Sequence, residues 1–505
     1  MKTTYYESAP RGPELPASSG VPGGLPRPLR LPALISGCVA ASFMVALWLN
    51  VSPGGLSPDA AVTLCVFVAA VWFWVFSAVE DTYVALGAAA ALVISGALPT
   101  ADLFDALGDE TVWLLMAAFV IASAVASTGL AARGAAFVIT GARSVRQLAH
   151  LTTLGLVVTS FAIPATSGRA ALVLPIFLAL RAALRERPAV VKMLALLFPS
   201  VILLSAVSSF LGAGAHLITS QVLQSAGFEG FDFASWLLLG LPLGLASSFL
   251  AAELIVRRFT ARPDRAMPLH VDILQLQRGT STRLRGPLDL DEQRSLLLLA
   301  AVVALWCTEP IHGLEPALVA LIGALVVSSP FYGSVKLGAA LKKVPWSMLI
   351  FMAATLALGS SLVTSGAAGW LASSALAPVS ALGGWKAPVF VVAVVVISAA
   401  AHLVIQSRSA RSAVLIPVVV ASAAPMGVDP MAVAFASTAA AGFCHTLTSS
   451  AKPVAMFAET DGVAHYSPAD LLRLSAWLGP LSTALVLVFS FAVWPALGLP
   501  LFTSR

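Results

Sequence analysis

The chain has 505 residues, of which 58% are hydrophobic and only 10% charged, with a formal net charge of +5. That balance excludes a soluble globular protein of this size and reads as a polytopic membrane protein whose surroundings are lipid. The four cysteines (Cys38, Cys65, Cys307, Cys444) all lie in apolar runs without metal-ligand spacing, so they read as small hydrophobes and exclude a disulfide framework.

Residues 1–30 are rich in Pro, Gly, Ser and Arg without apolar periodicity, the pattern of a disordered tail. No small-residue cleavage site follows the first apolar run, so that run reads as a retained span. Scaffold helices are expected within 31–110, from runs near 31–50, 59–78 and 82–99. A first repeat covers 111–256. It holds a run at 111–131, a region 148–184 made of two apolar halves, an interrupted run at 191–226, and a run at 234–256. The linker 257–294 carries eight Arg against five acids. Runs at 295–310 and 314–333 supply scaffold helices within 295–345. A second repeat, 346–496, has the same order: 346–367, the split region 388–424, the interrupted run 430–457, and 470–496. Each half of a split region has about 14–18 residues, short for a crossing and suited to a re-entrant hairpin. The expected fold is all-α, with about 11 transmembrane helices plus two re-entrant helical hairpins in an inverted repeat.

Charge placement sets the sidedness. With Arg11, Arg27 and Arg30 in the cytoplasm, segments 132–147, 181–192, 257–294 and 334–345 fall on the same side, and all are basic. The opposite loops near 51–58, 100–110 and 227–233 contain no Lys or Arg. The N-terminus is therefore expected inside and the C-terminus outside a bacterial inner membrane.

Thr166-Ser167-Gly168-Arg169, leading to Pro175, recurs as Arg408-Ser409-Ala410-Arg411, leading to Pro417. His216-Leu217-Ile218-Thr219-Ser220 recurs as His445-Thr446-Leu447-Thr448-Ser449. Apolar runs led by Trp close on Thr128-Gly129 and on Ser365-Gly366. Polar matches in the same order in both halves mark an internal repeat. Intramembrane arginine is expensive and usually functional, and a matched pair points to a transporter site at the repeat interface.

At these residues the chain resembles the divalent anion:sodium symporter family over roughly residues 60–500. The resemblance also rests on Trp113-Leu-Leu-Met-Ala-Ala-Phe119 and on Gly427-Val428-Asp429-Pro430. The family's hairpin tips carry Ser-Asn-Thr, which falls here on Ala165-Thr166-Ser167 and Ser407-Arg408-Ser409. The third-position hydroxyl is kept and Asn is lost in both halves. The resemblance implies a homodimer with a static scaffold and a mobile transport domain that moves like an elevator. It also implies sodium sites near Ser167 and Ser409, degenerate here because Arg408 stands on an Asn position.

The candidate substrate-binding residues are Thr166, Ser167, Arg169, Ser407, Arg408, Ser409, Arg411, His216, Thr219, His445 and Thr448. A guanidinium fork at a helix N-terminus suits carboxylate, sulfate or phosphate. The competing reading has each Arg snorkelling to water or tying down backbone carbonyls, and each His as a hydrogen-bonded core residue. Lys452 reaches the same cavity or an interface, and His402 reads as structural. A cation beside guanidinium groups costs several kcal/mol at low dielectric, so sodium coupling is expected to be weakened or replaced. Sodium-independent exchange and proton coupling through His stay open. The expected function is secondary transport of a small anion (dicarboxylate, sulfate or related oxyanion), with no cofactor and no nucleic-acid partner. An intramembrane enzyme is disfavoured, because a catalytic Ser has no reason to be duplicated symmetrically.

Overall fold

The computed structural model describes residues 31–49, 51, 55–269, 271, 273–278, 283–380, 382–460 and 462–503. The tail expected over residues 1–30 lies outside these residues, as do parts of the linker.

Helix α1 (Leu31–Leu49) packs on α2 (Pro58–Phe76), which starts where Ser57 accepts the Ala60 N–H. Next come α3 (Asp81–Ile94), α4 (Thr100–Gly108) and α5 (Glu110–Thr128), the last capped by Asp109. Gly129, at φ 75°, turns the chain into α6 (Leu130–Ile139). A left-handed residue at a helix end favours glycine because no Cβ meets the carbonyl. A helical hairpin follows, α7 (Val145–Ala162) and α8 (Thr166–Ala183). Helix α9 (Pro188–Leu204) breaks into tight turns at Ser205–Ser208 and Phe210–Gly212, and resumes as α10 (Gly214–Ser225). Helix α11 (Phe233–Phe259) covers this break. A Cβ on Gly240 or Gly244 would collide with Val207 O or Ser208 Oγ, so these two glycines let α11 lie directly on the broken backbone.

The linker holds the short helices α12 (Arg262–Ala266) and α13 (Ile273–Arg278). Helix α14 (Leu290–Cys307) starts five residues before the expected run, in a capping box of Asp289 with Glu292. Then come α15 (Glu309–His312), α16 (Pro316–Val327), α17 (Leu337–Leu341) and α18 (Trp346–Thr364). Gly366, at φ 80°, leads into α19 (Ala367–Ser380), as Gly129 leads into α6. The second hairpin is α20 (Lys386–Ala400) and α21 (Arg408–Met426). Helix α22 (Pro430–Ala440) is followed by irregular backbone over 441–451 and then α23 (Lys452–Ala458). A minimal antiparallel pair, β1 (Glu459–Thr460) and β2 (Val463–Ala464), precedes α24 (Pro468–Val488). A π-turn at Phe489–Val493 and α25 (Trp494–Ala496) complete the order.

Among the described residues, nine helices are long and apolar enough to cross a membrane, and five shorter apolar helices accompany them. The nine include α8 (18 residues, within the expected range), the helix over Gly383–Leu403 (21 residues) and α21 (19 residues), so two of the four hairpin arms are longer than expected. The fourth arm, α7, is more polar, with Arg146, Gln147 and His150 in its first turns.

The same order of elements, α5 to α11, returns from α18 to α24. The packing between the two sets is exchanged. Helix α3 lies on α18 and α16 on α5, while α10 lies on α21 and α23 on α8 and α9. The hydroxyls of Thr219 on α10 and Thr438 on α22 meet at 2.6 Å where the sets join. Half-buried Arg133 on α6 pairs with buried Glu292 on α14 at 2.9 Å, and also donates to the carbonyls of Gly286 and Pro287.

Candidate functional site

Both hairpin tips and both breaks meet in one region. Residues 201–223, which contain the first break, are buried throughout. Irregular backbone at membrane depth is tolerated only in such protein-lined places. At the first tip, Ala165 sits at φ 79° and ψ 133° just before α8, and no side chain caps that helix. It is the one non-glycine residue with positive φ among the described residues. Such backbone costs roughly 1–3 kcal/mol and clusters at functional sites. At the second tip, the Ser407 hydroxyl accepts the Ala410 N–H at 3.3 Å and caps α21.

Between the tips lies a cavity of about 590 Å³. The first tip contributes Pro164, Ala165, Ser167 and Gly168, and the second contributes Ser407 and Ser409. Lys452, at the start of α23, joins them. The opposite wall comes from Phe119 and Ser123 of α5, Met348 and Phe351 of α18, Lys343, and Glu80 with Asp81 at the start of α3. The N-termini of α8 and α21 therefore face the same space. Their unsatisfied N–H groups and partial positive charge favour an anion there.

The arginines lie behind this wall. Arg169 is fully buried and donates to Thr159 Oγ1 (3.1 Å), Ile202 O (3.0 Å), Leu156 O (2.7 Å) and Ser205 Oγ (2.7 Å). It ties the first hairpin to the end of α9 and to the turn that follows. Arg408 donates from one nitrogen to Leu203 O (3.3 Å) and Gly442 O (3.1 Å), bridging the backbone of the two breaks. Arg411 is fully buried, and none of its three nitrogens has an oxygen or nitrogen acceptor. The Cys444 thiol, the Arg408 guanidinium and the His402 ring are among its neighbours.

The histidines are buried as well. His216 Nδ1 lies 3.0 Å from Ser209 O and 3.2 Å from Phe210 O, and its ring stacks on Trp236 at 4.6 Å. His445 shapes the second break: its Nδ1 accepts the Cys444 N–H and its carbonyl accepts from Ser475. His402 joins the second hairpin to that break, with Nδ1 2.6 Å from Ala399 O and Nε2 2.7 Å from Thr446 Oγ1. Thr219 is buried against Thr438. Thr166 and Thr448 are half-buried beside the tip and the break.

Of the candidate residues, the cavity thus brings together Ser167, Ser407 and Ser409. Arg169, Arg411, His216, Thr219 and His445 form the buried frame behind them. Sequence reasoning missed Glu80 and Asp81. The only signal was a pair of acids directly after an apolar run, which also describes an ordinary span end.

Residues 33–499 match the family described as the sodium:sulfate symporter transmembrane region. The chain is 25% identical over 349 residues to the putative malate transporter YflS of Bacillus subtilis, covering 66% of this chain and 70% of the relative. It is 22% identical over 307 residues to the sodium-dependent dicarboxylate transporter SdcS of Staphylococcus saprophyticus, covering 58% and 57%. The fold is similar to the crystal structure of the YdaH transporter of Alcanivorax borkumensis. The TM-score is 0.52 at 16% identity, over 88% of this chain and 100% of that one.

Proposed function

The chain belongs to the sodium:sulfate symporter family, and from that membership we propose that it carries a small anion across the bacterial cytoplasmic membrane. The observation that carries this reading is the convergence of both hairpin tips, with two helix N-termini, three serines and Lys452, on one cavity of about 590 Å³. Substrate oxygens are taken by the first-turn amides of α8 and α21, by the hydroxyls of Ser167, Ser407 and Ser409, and by Lys452. Arg169 and the histidines act at a distance, by fixing the backbone that presents those groups. The names of the two relatives favour a dicarboxylate over sulfate.

The architecture that suits this activity is an inverted repeat of about 11 spans with two re-entrant hairpins. The carrier is a homodimer, and each hairpin-bearing body moves like an elevator against its scaffold. Basic cytoplasmic loops put the N-terminus inside and the C-terminus outside. With that sidedness Lys343, Glu80 and Asp81 border a mouth that opens to the cytoplasm, so the state described is inward-facing.

The family's name makes sodium the first coupling ion to consider. Arg408 favours a second reading. Its guanidinium lies between the carbonyls of Leu203 and Gly442, where backbone oxygens of two breaks converge. A fixed positive charge there does the work of a bound cation, which favours sodium-independent exchange or proton-coupled transport.

The test is uptake of labelled succinate, malate and sulfate into proteoliposomes, with and without a sodium gradient and with or without internal anion. Uptake of any of them supports the carrier reading, and its absence in folded protein contradicts it. Steep sodium dependence would exclude replacement of the ion by Arg408. Uptake that needs internal anion and ignores sodium would support it.

A further inference from the structure

The cavity carries charge of both signs, which a simple anion does not call for. Glu80 and Asp81 line it at the start of α3, and Lys343 and Lys452 line it as well. Among the described residues, none of these four takes part in an ion pair. Glu80 is exposed at the mouth, and Asp81 is half-buried. Their backbone is fixed: Trp74 Nε1 donates to Asp81 O at 3.2 Å, and Thr82 Oγ1 donates to Ser347 O at 3.0 Å. Those bonds hold the start of α3 to α2 and α18, so the carboxylates are presented from helices outside both hairpins. Ser123 of α5 lines the same cavity. It is only 8% exposed, and its hydroxyl has no hydrogen-bond partner among the described residues. Buried hydroxyls are normally paired, so this one points to a group that the cargo supplies.

Two carboxylates in the wall repel a cargo that brings negative charge alone. The same carboxylates attract an ammonium, which has three donors and no acceptor. Among the described residues, no group of three or more His, Cys, Asp or Glu is placed to hold a metal ion. An ammonium needs no such group, because one carboxylate and neutral oxygens satisfy it.

We propose that the cargo is zwitterionic: a dicarboxylate that also carries an ammonium group, as an amino dicarboxylate does. Its carboxylates lie at the N-termini of α8 and α21 and at Lys452. Its ammonium faces Asp81 and the Ser123 hydroxyl, with Glu80 at the mouth. This inference rests on the anion-carrier reading of the same cavity and narrows it. A cargo of this kind uses both signs of charge in the wall, whereas a plain diacid meets one of them as repulsion. Selectivity then comes from rejecting the wrong ligand as well as from attracting the right one.

The test is titration calorimetry on the full-length purified protein in detergent. The probes are two pairs that differ by one ammonium: L-aspartate against succinate, and L-glutamate against glutarate. In the wild type, the amino member of at least one pair is expected to half-saturate at a concentration about tenfold lower than its plain partner. Asp81→Asn is expected to bring that ratio to about one, the amino acid binding more weakly and the plain diacid more tightly. Glu80→Gln and Ser123→Ala are expected to lower the ratio less. Because each ratio is measured within one protein, a loss of folded material cancels from it. No advantage for the amino member in either pair would overturn the proposal, and so would an advantage that survives intact in Asp81→Asn. Equal binding within both pairs, with diacid affinity raised by sodium in the wild type and not in Asp81→Asn, would give the carboxylate to a coupling ion and overturn it too. In each of these cases binding of the plain diacids leaves the anion reading standing. If none of the four probes, nor sulfate, binds to protein that melts cooperatively, the anion reading fails and this inference fails with it.

Discussion

Arg169 and Arg411 stand at equivalent places in the two hairpins, six residues before the helix proline, yet their surroundings are opposite. Arg169 donates to four oxygens, while Arg411 donates to no oxygen or nitrogen. The repeat has kept the charge and changed its environment.

Arg169→Met is therefore expected to destabilise the protein by about 3 kcal/mol or more, since four buried acceptors lose a charged donor. Thermal melting in detergent measures this. Arg169→Lys should rescue only part of the loss, because an ammonium cannot span four acceptors in a fork geometry. Full recovery with lysine would show that the charge matters and the geometry does not.

Arg411→Met should behave in the opposite sense. Replacing an unpaired buried charge by an apolar side chain of similar volume is expected to leave stability unchanged or raise it by about 1–4 kcal/mol. A large loss of melting temperature would mean that an acceptor outside the protein chain supports Arg411 in solution.

Gly244→Val tests the seating of α11 on the first break. Its Cβ would meet Ser208 Oγ and the backbone of the same residue. Overpacking of this kind costs about 1–3 kcal/mol or more, and here it also displaces the turn that Arg169 holds through Ser205. Loss of both folded yield and uptake is expected. Normal melting and normal uptake would mean that the break can shift to make room.

The repeat was legible in the sequence because Ser, Arg and His stand out in an apolar chain, and because Gly129 and Gly366 mark the same left-handed corner in each half. The tip serines were legible for the same reason. The orientation of the arginines was not. A guanidinium aimed at a ligand and one aimed at carbonyls have the same sequence neighbours, and the acceptors of Arg169 come from α7, α9 and the turn after α9. Asp81 was hidden because the tip serine Ser407, which lines the same cavity, lies more than three hundred residues away. Local pattern carries no information about which span end faces a cavity.

Ser167→Ala, Ser409→Ala and Lys452→Gln are expected to lower succinate uptake while leaving the melting temperature within a degree or two, since these side chains line open space and support no buried frame. Lys452→Gln should show the largest effect, about tenfold or more in half-saturating concentration, because it removes a charge-assisted contact. Equal loss of stability and uptake would move these residues from the site to the frame.

A pH effect is expected on the face away from the cavity. Burial, reinforced by the carboxylates of Asp232, Glu110 and Glu315, pushes Glu309 above its ordinary value of 4.5. The folded protein then holds a proton that the unfolded chain releases, so this group's contribution to stability falls as pH rises above 4.5. Glu309→Gln should raise the melting temperature at pH about 7 and leave it unchanged at pH about 4. The same difference at both pH values would show that charge at Glu309 is not the cause.

The exchanged packing of the two halves bears on how the protein is made. Helix α5 finds its main partner in α16, and α10 finds its partner in α21, each about two hundred residues later in synthesis. The first half thus emerges from the ribosome with its intended contact faces uncovered. It must wait in the bilayer, its broken α9 backbone shielded only by α11 and α7, until the second half arrives to close the fold. Biosynthesis of this carrier is therefore a problem of holding an unfinished half safely, and the clasp of Arg133 on α6 to Glu292 at the start of α14 is placed to be among the first contacts that end the wait.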